Sequence, residues 1–314
     1  PLDGRLADLA GDARLLASLD RLRENMTRKR TYVTGGIGAR HDGESFGADY
    51  ELPNETAYAE TCAAIGSIFW NQRLFELTAD VAYPDLIERT LYNGFLAGVG
   101  LDGDRFFYVN PLETDGDHHR KEWFYVACCP PNAARLLASL ERYVYARGTD
   151  GDALYVTQFV GGTVETDLGD DRVSFTQSTA YPWEGETTIE FTHDDPAPFD
   201  LRVRVPEWAD DVSLVVNGES TAAPADDGYV SVERTWRAGD EVTLSETLSD
   251  GPTVVLVNRG SWCSFCAEQL GTFSEVAYDL WFNDGVDVLP VVTDPVGDLA
   301  EMRDRFDLEF QLLA

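Results

Sequence analysis

The hydrophobic period of this chain changes near Gly148, and no single type of layer can satisfy both halves. Before that point apolar residues recur three and four apart, as in Leu6, Leu9, Ala13 and Leu16, or Leu136, Leu137, Leu140 and Val144. After it come short alternating segments, ALYVTQFVGGTVET, RVSFTQSTAYPW, TTIEFT, FDLRVRVPEWA, VSLVVNGE and YVSVERTW, separated by Gly, Asp and Pro. A helix buries one face every 3.6 residues and a strand every second residue. The first part is therefore read as helical and the second as an antiparallel β-sandwich, with Asn217–Gly218 as a hairpin turn.

Within the helical part the pattern predicts helices over 4–28, 57–79, 83–98 (broken at Pro84) and 130–147, with Pro130 and Pro131 at a helix start. FFYVNPL reads as a short strand, and residues 31–56 as a long glycine-rich loop of the kind that often carries function. A third change falls near Ser249. GPTVVLVNRGSWCSFC, AEQLGTFSEVAYDLWFNDG, VDVLPVVTD and PVGDLAEMRDRF have the β-α-β-α order of an α/β segment. The fold expected is multidomain α+β, with boundaries at 1–148, 149–245 and 246–314.

Charge narrows the partners. Twenty-four basic against 56 acidic residues give a net charge of −32, dispersed in small groups such as Asp170–Asp171 and Asp226–Asp227, with only two lysines, Lys29 and Lys121. Such a surface repels nucleic acid and anionic membranes. It suits a salt-saturated cytoplasm, where screening removes the self-repulsion. No apolar run is long enough to span a bilayer, and no secretory leader is visible at the start. Five cysteines, an odd number at low density, favour metal or redox chemistry in a reducing cytoplasm over a disulfide scaffold.

Two of those cysteines are adjacent, in FYVACCPPN. Neighbours rarely bridge to each other because the geometry is strained. Cys128 and Cys129 are either small buried hydrophobes or two sulfurs aimed at one metal ion. Candidate partners are Glu60 and Cys62 in YAETCAAI. Residues two apart do not share a helix face, so this pair converges only if the backbone bends. Three thiolates and a carboxylate would satisfy tetrahedral Zn²⁺, but spacing alone does not separate the two readings. His118–His119 in an Asp-rich loop, His41, and the aromatics Trp70, Trp123 and Tyr125 are weaker site candidates.

The long stretches GESFGADYELPNETAYAETCAAIGSIFWNQRLFELTADVAYPDLIERTLYNGFLAG, FFYVNPL and WFYVACCPPNAARLLASL closely resemble the β-L-arabinofuranosidases of glycoside hydrolase family 127. The resemblance covers about residues 1–245. It implies the C-terminal half of an (α/α)6 barrel followed by a β-sandwich, an L-arabinofuranoside-type carbohydrate substrate, and Zn²⁺ held by Glu60, Cys62, Cys128 and Cys129. It further implies Cys128 as nucleophile, Glu44 of GESF as acid/base, and Glu88 of IERTLYN near the site. Residues 251–314 resemble the front of a peroxiredoxin-like (redoxin, thioredoxin-fold) domain through TVVLVNRGSWCSFC, with Cys263 and Cys266 as the redox pair. A reductase acting through that pair, or a non-catalytic fusion remnant, are the alternative functions.

On these resemblances the chain starts inside the barrel and stops before the redoxin fold is complete, with the junction between about 238 and 251. A sugar pocket needs walls on every side, so little glycosidase turnover is expected of the chain alone. Nothing in the sequence speaks to oligomeric state or to the exact sugar and linkage.

The charge yields a direct prediction. Repulsion among 56 carboxylates should lower stability in dilute buffer and fade in molar salt, where the Debye length is about 3 Å. Thermal melts across a potassium chloride series should therefore show Tm rising with salt. A flat or falling Tm would contradict the reading.

Overall fold

A computed structural model describes residues 12–209, 211–221, 227–247, 253–258 and 287–292. The chain divides into two compact units, residues 1–207 with 212–245, and residues 208–211 with 246–314.

In the first unit, α1 spans Ala13–Lys29. It starts where the Asp12 carboxylate accepts from the N–H groups of Arg14 and Leu15, and it ends on the basic pair Arg28 and Lys29, which suits the helix dipole. A loop containing the 3-10 turn Asp42–Glu44 leads to α2, Thr61–Thr78. Ala79 closes α2 in the left-handed conformation, its N–H returning to the Phe75 carbonyl. The next helix, α3, covers Ala82–Arg89 and continues as a π-turn over Thr90–Phe95. Then come α4, Cys129–Leu137, and the single turn α5, Glu141–Val144. Ile65 and Ile68 of α2, Ile87 of α3, Leu91 and Phe95 of the π-turn, and Ala133 and Leu136 of α4 form one buried core.

Three sequence expectations change here. Pro84 does not break a helix; it lies in the first turn of α3, where its missing N–H costs no bond. FFYVNPL forms no strand. Its backbone makes only isolated bridges, such as Phe106 with Lys121, and spends its other groups on the segment around Thr61. The helix expected over 130–147 ends at Leu137, because Tyr145–Arg147 leaves to become strand β1.

The sandwich has two sheets. One runs β1-β2-β6-β9, using Tyr145–Arg147, Ala153–Val156, Ala197–Arg204 and Tyr229–Trp236. The other runs β3-β4-β5-β10-β7-β8, using Gly162–Leu168, Asp171–Thr179, Glu186–Phe191, Glu241–Thr247, Asp211–Val216 and Glu219–Thr221. The sandwich is not wholly antiparallel. β2 and β6 pair in parallel, because the chain crosses to the second sheet for three strands before returning. Val173, Phe175 and Phe191 of one sheet meet Leu154, Leu201 and Trp236 of the other in a single dry core.

A buried ion triad ties the helices to the sandwich. Arg204 of β6 is fully buried and donates to Asp85 at 2.5 Å, to Glu88, and to the Thr157 carbonyl at 2.7 Å. Nearby, Gln158 donates to the Pro84 carbonyl at 2.9 Å, and Tyr229 packs with Leu74, Phe75 and Tyr83. The polar links matter because an unpaired charge at this depth is costly.

Among the described residues of the second unit, β11 (Thr253–Asn258) pairs in parallel with β12 (Asp287–Val292). The two expected helices of this segment lie outside the described residues.

Arg204→Met should cost about 3–5 kcal/mol, since it strands two buried carboxylates. Arg172→Met, which removes an exposed pair with Glu165, should cost no more than about 1 kcal/mol. Urea unfolding of both variants in high salt makes the comparison. Equal losses would refute the role given to Arg204.

Candidate active site

Two helix starts build the site. Glu60 occupies the cap position of α2 with ψ 137°, and the helix proper begins at Thr61. That change of backbone direction lets Glu60 and Cys62 converge although they are two residues apart. The Glu60 carboxylate makes no capping bond. Instead it accepts from the Cys128 thiol at 3.3 Å and from the Cys129 thiol at 3.7 Å. Cys128 stands at the cap of α4 and Cys129 is its first residue, with their sulfurs 3.6 Å apart. One ligand atom from each of Glu60, Cys62, Cys128 and Cys129 lies within 4.8 Å of all the others.

The two prolines that follow have a physical use. A helix start leaves orphan N–H donors. Pro130 and Pro131 remove two of these from a turn where Cys129 and Pro130 are buried.

Backbone bonds hold the segment before α2. Thr61 N–H donates to the Tyr108 carbonyl at 3.0 Å, Asn110 N–H to Tyr58 at 3.1 Å and Ala59 N–H to Gly38 at 2.7 Å. The Asn110 side chain donates to the Ala59 carbonyl at 2.8 Å. Ala59 is held at φ 36°, an unfavourable conformation for a residue with a Cβ. Gly98 must be glycine, because a Cβ there would come within 2.9 Å of Thr61 Oγ1.

Glu44 sits on its own constrained loop. Gly43 and Glu44 both have positive φ, 67° and 48°. Arg40 and Ser45 exchange backbone bonds of 3.0 and 3.1 Å across the loop, and the Arg40 guanidinium forks onto Glu51 with two contacts of 2.6 Å. The Arg40 hydrogen bond holds the Glu51 carboxyl down at about 2. Two tyrosines reach Glu44 Oε1. Tyr58 donates to it at 2.8 Å and Tyr108 at 3.5 Å. Tyr58 thereby links the Glu44 loop to the segment that carries Glu60 and Cys62.

The electrostatics separate the three cysteines. The Cys62 thiol is lowered to about 7, first by its neighbour Cys129 and further by Asn132. Cys129 is pushed up, first by the adjacent Cys62 sulfur and then by burial. Burial also raises Cys128, against a lowering hydrogen bond from Tyr108. The set fits a thiophilic cation. Tetrahedral zinc places thiolates about 2.3 Å from the metal, so a contraction of about 1 Å suffices for the widest pair.

Other sequence candidates lie elsewhere. Glu88 belongs to the Arg204 triad. His118 bonds the Val109 carbonyl at 2.8 Å and stacks on Phe107, so it does not pair with His119 around a metal. His41 packs edge-on against Tyr58 at 4.9 Å. Trp70 packs into the cluster around Leu74, whereas Trp123 and Tyr125 are exposed. Cys263 and Cys266 lie outside the described residues. Tyr58 and Tyr108 escaped the sequence reading, although both stand inside the motifs that drew attention to their neighbours. Hollows of about 680 and 1030 Å³ line the C-terminal end of α2 and the sandwich, and the cluster borders neither.

With metal stripped, Cys62 should alkylate before Cys129, its rate rising through pH about 7 as its thiolate forms. Peptide mapping after brief iodoacetamide pulses reads this. Labelling of Cys129 first would overturn the assignment.

Comparison with known proteins agrees with the two-part architecture. Residues 4–142 match the β-L-arabinofuranosidase GH127 catalytic domain, residues 153–247 the GH127 middle domain, and residues 228–314 the AhpC/TSA family. The last two matches overlap, and the overlap contains β9 and β10, strands of the sandwich. A non-reducing end β-L-arabinofuranosidase of Bifidobacterium longum subsp. longum is 36% identical over 96% of this chain and 49% of its own length. A solved GH127 β-arabinofuranosidase is 40% identical with a TM-score of 0.73, covering 77% of this chain and 41% of that one. The GH127 β-L-arabinofuranosidase of Geobacillus stearothermophilus T6 is 41% identical with a TM-score of 0.71, covering 76% and 40%. The chain thus spans about half the length of the relatives it matches. Through residues 4–142 and 153–247 this chain belongs to glycoside hydrolase family 127, and its C-terminal part carries AhpC/TSA-family sequence.

Proposed function

We propose that this chain carries the reacting groups of a retaining β-L-arabinofuranosidase, with Cys128 as nucleophile and Glu44 as acid/base. The observation that carries the reading is the path of contacts from Glu44 to Cys128: Tyr58 donates to Glu44 at 2.8 Å, and Glu60, two residues further on, accepts from the Cys128 thiol at 3.3 Å. Retaining glycosidases need their two reacting groups about 5 Å apart on either side of the anomeric carbon. Tying both groups to one short segment suits that arrangement.

In this reading Glu60, Cys62, Cys128 and Cys129 hold zinc, which when bound keeps the sulfurs deprotonated at neutral pH. Cys128 attacks the anomeric carbon from one face, and the C–O bond to the leaving group breaks. Glu44 gives its proton to the departing oxygen. A thioglycosyl bond to Cys128 then holds the sugar. Glu44, now a carboxylate, takes a proton from water, and the water oxygen displaces the sulfur with net retention. Glu88 supports the site indirectly, by fixing α3 through Arg204.

The helical residues up to 148 represent the C-terminal half of an (α/α)6 barrel, 149–245 its sandwich, and 246–314 a redoxin-like segment. The free thiols and the acidic surface fit a reducing, salt-rich cytoplasm. A second reading rests on the AhpC/TSA match: thiol-disulfide or peroxide reduction through Cys263 and Cys266. It is separable, because it survives loss of Cys128.

The test is a zinc-loaded chain incubated in high salt with an activated aryl β-L-arabinofuranoside. An arabinosyl adduct should be found on Cys128 by peptide mass spectrometry, and Cys128→Ser should lower aryl release at least about 10³-fold. Turnover that survives Cys128→Ser would refute the nucleophile.

A further inference from the structure

Glu44 and the metal-ligand cluster lie on different segments, so something must keep acid/base and nucleophile in register. Tyr58 is placed to do so. Its side chain is 7% exposed, and its hydroxyl makes the shortest bond to Glu44, 2.8 Å against 3.5 Å from Tyr108. The ring is packed edge-on by His41 at 4.9 Å and flanked by Tyr108 at 6.3 Å. Its backbone is equally fixed, since its carbonyl accepts from Asn110 N–H at 3.1 Å.

Two residues later stands Glu60, which accepts from both Cys128 and Cys129, and two beyond that stands Cys62. The residue between Tyr58 and Glu60 is Ala59, held at φ 36° by bonds to Gly38 and Asn110. Strain of this kind persists only where surrounding contacts over-determine it. A short, pinned stretch therefore presents the Tyr58 hydroxyl to one reacting group and the Glu60 carboxylate to the other.

We propose that Tyr58 is a positioning residue: it orients the Glu44 carboxylate toward the leaving-group oxygen, and it does so from the same rigid segment that supplies Glu60 and Cys62. This inference rests on the reading of Glu44 as acid/base and Cys128 as nucleophile. It adds that the aim of Glu44 is set by a hydrogen bond from the ligand-bearing segment, beyond the Glu44 loop's own closure. Losing the bond would leave the sulfur's attack intact and impair proton transfer to and from Glu44, of which only delivery to the leaving group depends on leaving-group basicity.

The leaving group distinguishes this role from a general structural one. An activated aryl leaving group departs with little protonation, whereas an alkyl leaving group requires it. In the zinc-loaded chain, Tyr58→Phe should lower kcat/KM, which reports the glycosylation step, about 10- to 100-fold on an alkyl β-L-arabinofuranoside and less than about threefold on a dinitrophenyl one. Zinc content should be unchanged. Glu44→Gln serves as the reference, with the same selectivity and a larger alkyl loss. Equal losses on both substrates in Tyr58→Phe would overturn the positioning role. If Glu44→Gln itself shows no selectivity, the reading of Glu44 fails, which is a different result.

Crystal structures of the zinc-loaded chain and of Tyr58→Phe provide an arm that needs no turnover. The Glu44 carboxylate should leave its position beside Tyr108 in the variant while Glu60 and the three sulfurs stay in place. An unmoved Glu44 would refute the proposal even if neither chain turned over.

Discussion

Three thiols and a carboxylate with ligand atoms within 4.8 Å of one another cannot all be anions without a cation between them. At that separation each pair of unit charges repels by several kcal/mol in the partly buried surroundings of a protein. Protons or a metal must relieve the repulsion. Without metal, protons relieve it: Cys128 and Cys129 donate to Glu60, and Cys62 is the thiol held lowest. A divalent cation would replace those protons and hold the sulfurs as thiolates at neutral pH. Both states demand that the starts of α2 and α4 meet at the same point.

The rest of the first unit maintains that meeting. The helices share a core through Ile65, Ile68, Ile87 and Leu136. Arg204 locks α3 to the sandwich through two carboxylates, so the sheet acts as a base for the helices that carry the site. The ring of backbone bonds among Gly38, Ala59, Thr61, Tyr108 and Asn110 then converts packing into placement of individual side chains. Ala59 and Glu44, two of the three non-glycine residues with positive φ between residues 31 and 60 (Tyr50 is the third), lie on segments that Tyr58 joins by its bond to Glu44. The strain sits where the geometry is most tightly specified, as expected if order at the site is purchased from stable neighbours.

Periodicity was enough to divide the chain into helical and β parts, because burial dictates spacing whatever the topology. It failed at FFYVNPL, where consecutive aromatics are used for contacts around the site, as Phe107 meets His118 and Tyr108 meets Phe124. The parallel β2–β6 pair was equally hidden, since pairing partners far apart in sequence leave no local trace. For the site, spacing argued against Glu60 with Cys62. The pair converges only because Glu60 lies outside the helix that Cys62 is in, a boundary that pattern alone does not locate. Adjacent cysteines before two prolines were legible as unusual, with Glu60 and Cys62 as candidate partners, but the choice of a metal site over buried hydrophobes came from resemblance. Tyr58 and Tyr108 were missed because a tyrosine near an apolar run reads as core until its hydroxyl partner is known.

X-ray absorption at the zinc edge tests the central claim, that Glu60, Cys62, Cys128 and Cys129 form one metal site, most directly. The purified chain should bind about one zinc per molecule, with three sulfurs near 2.3 Å and one oxygen at about 2.0–2.2 Å. A shell of nitrogen and oxygen only, or a chain that takes up no zinc, would contradict the account.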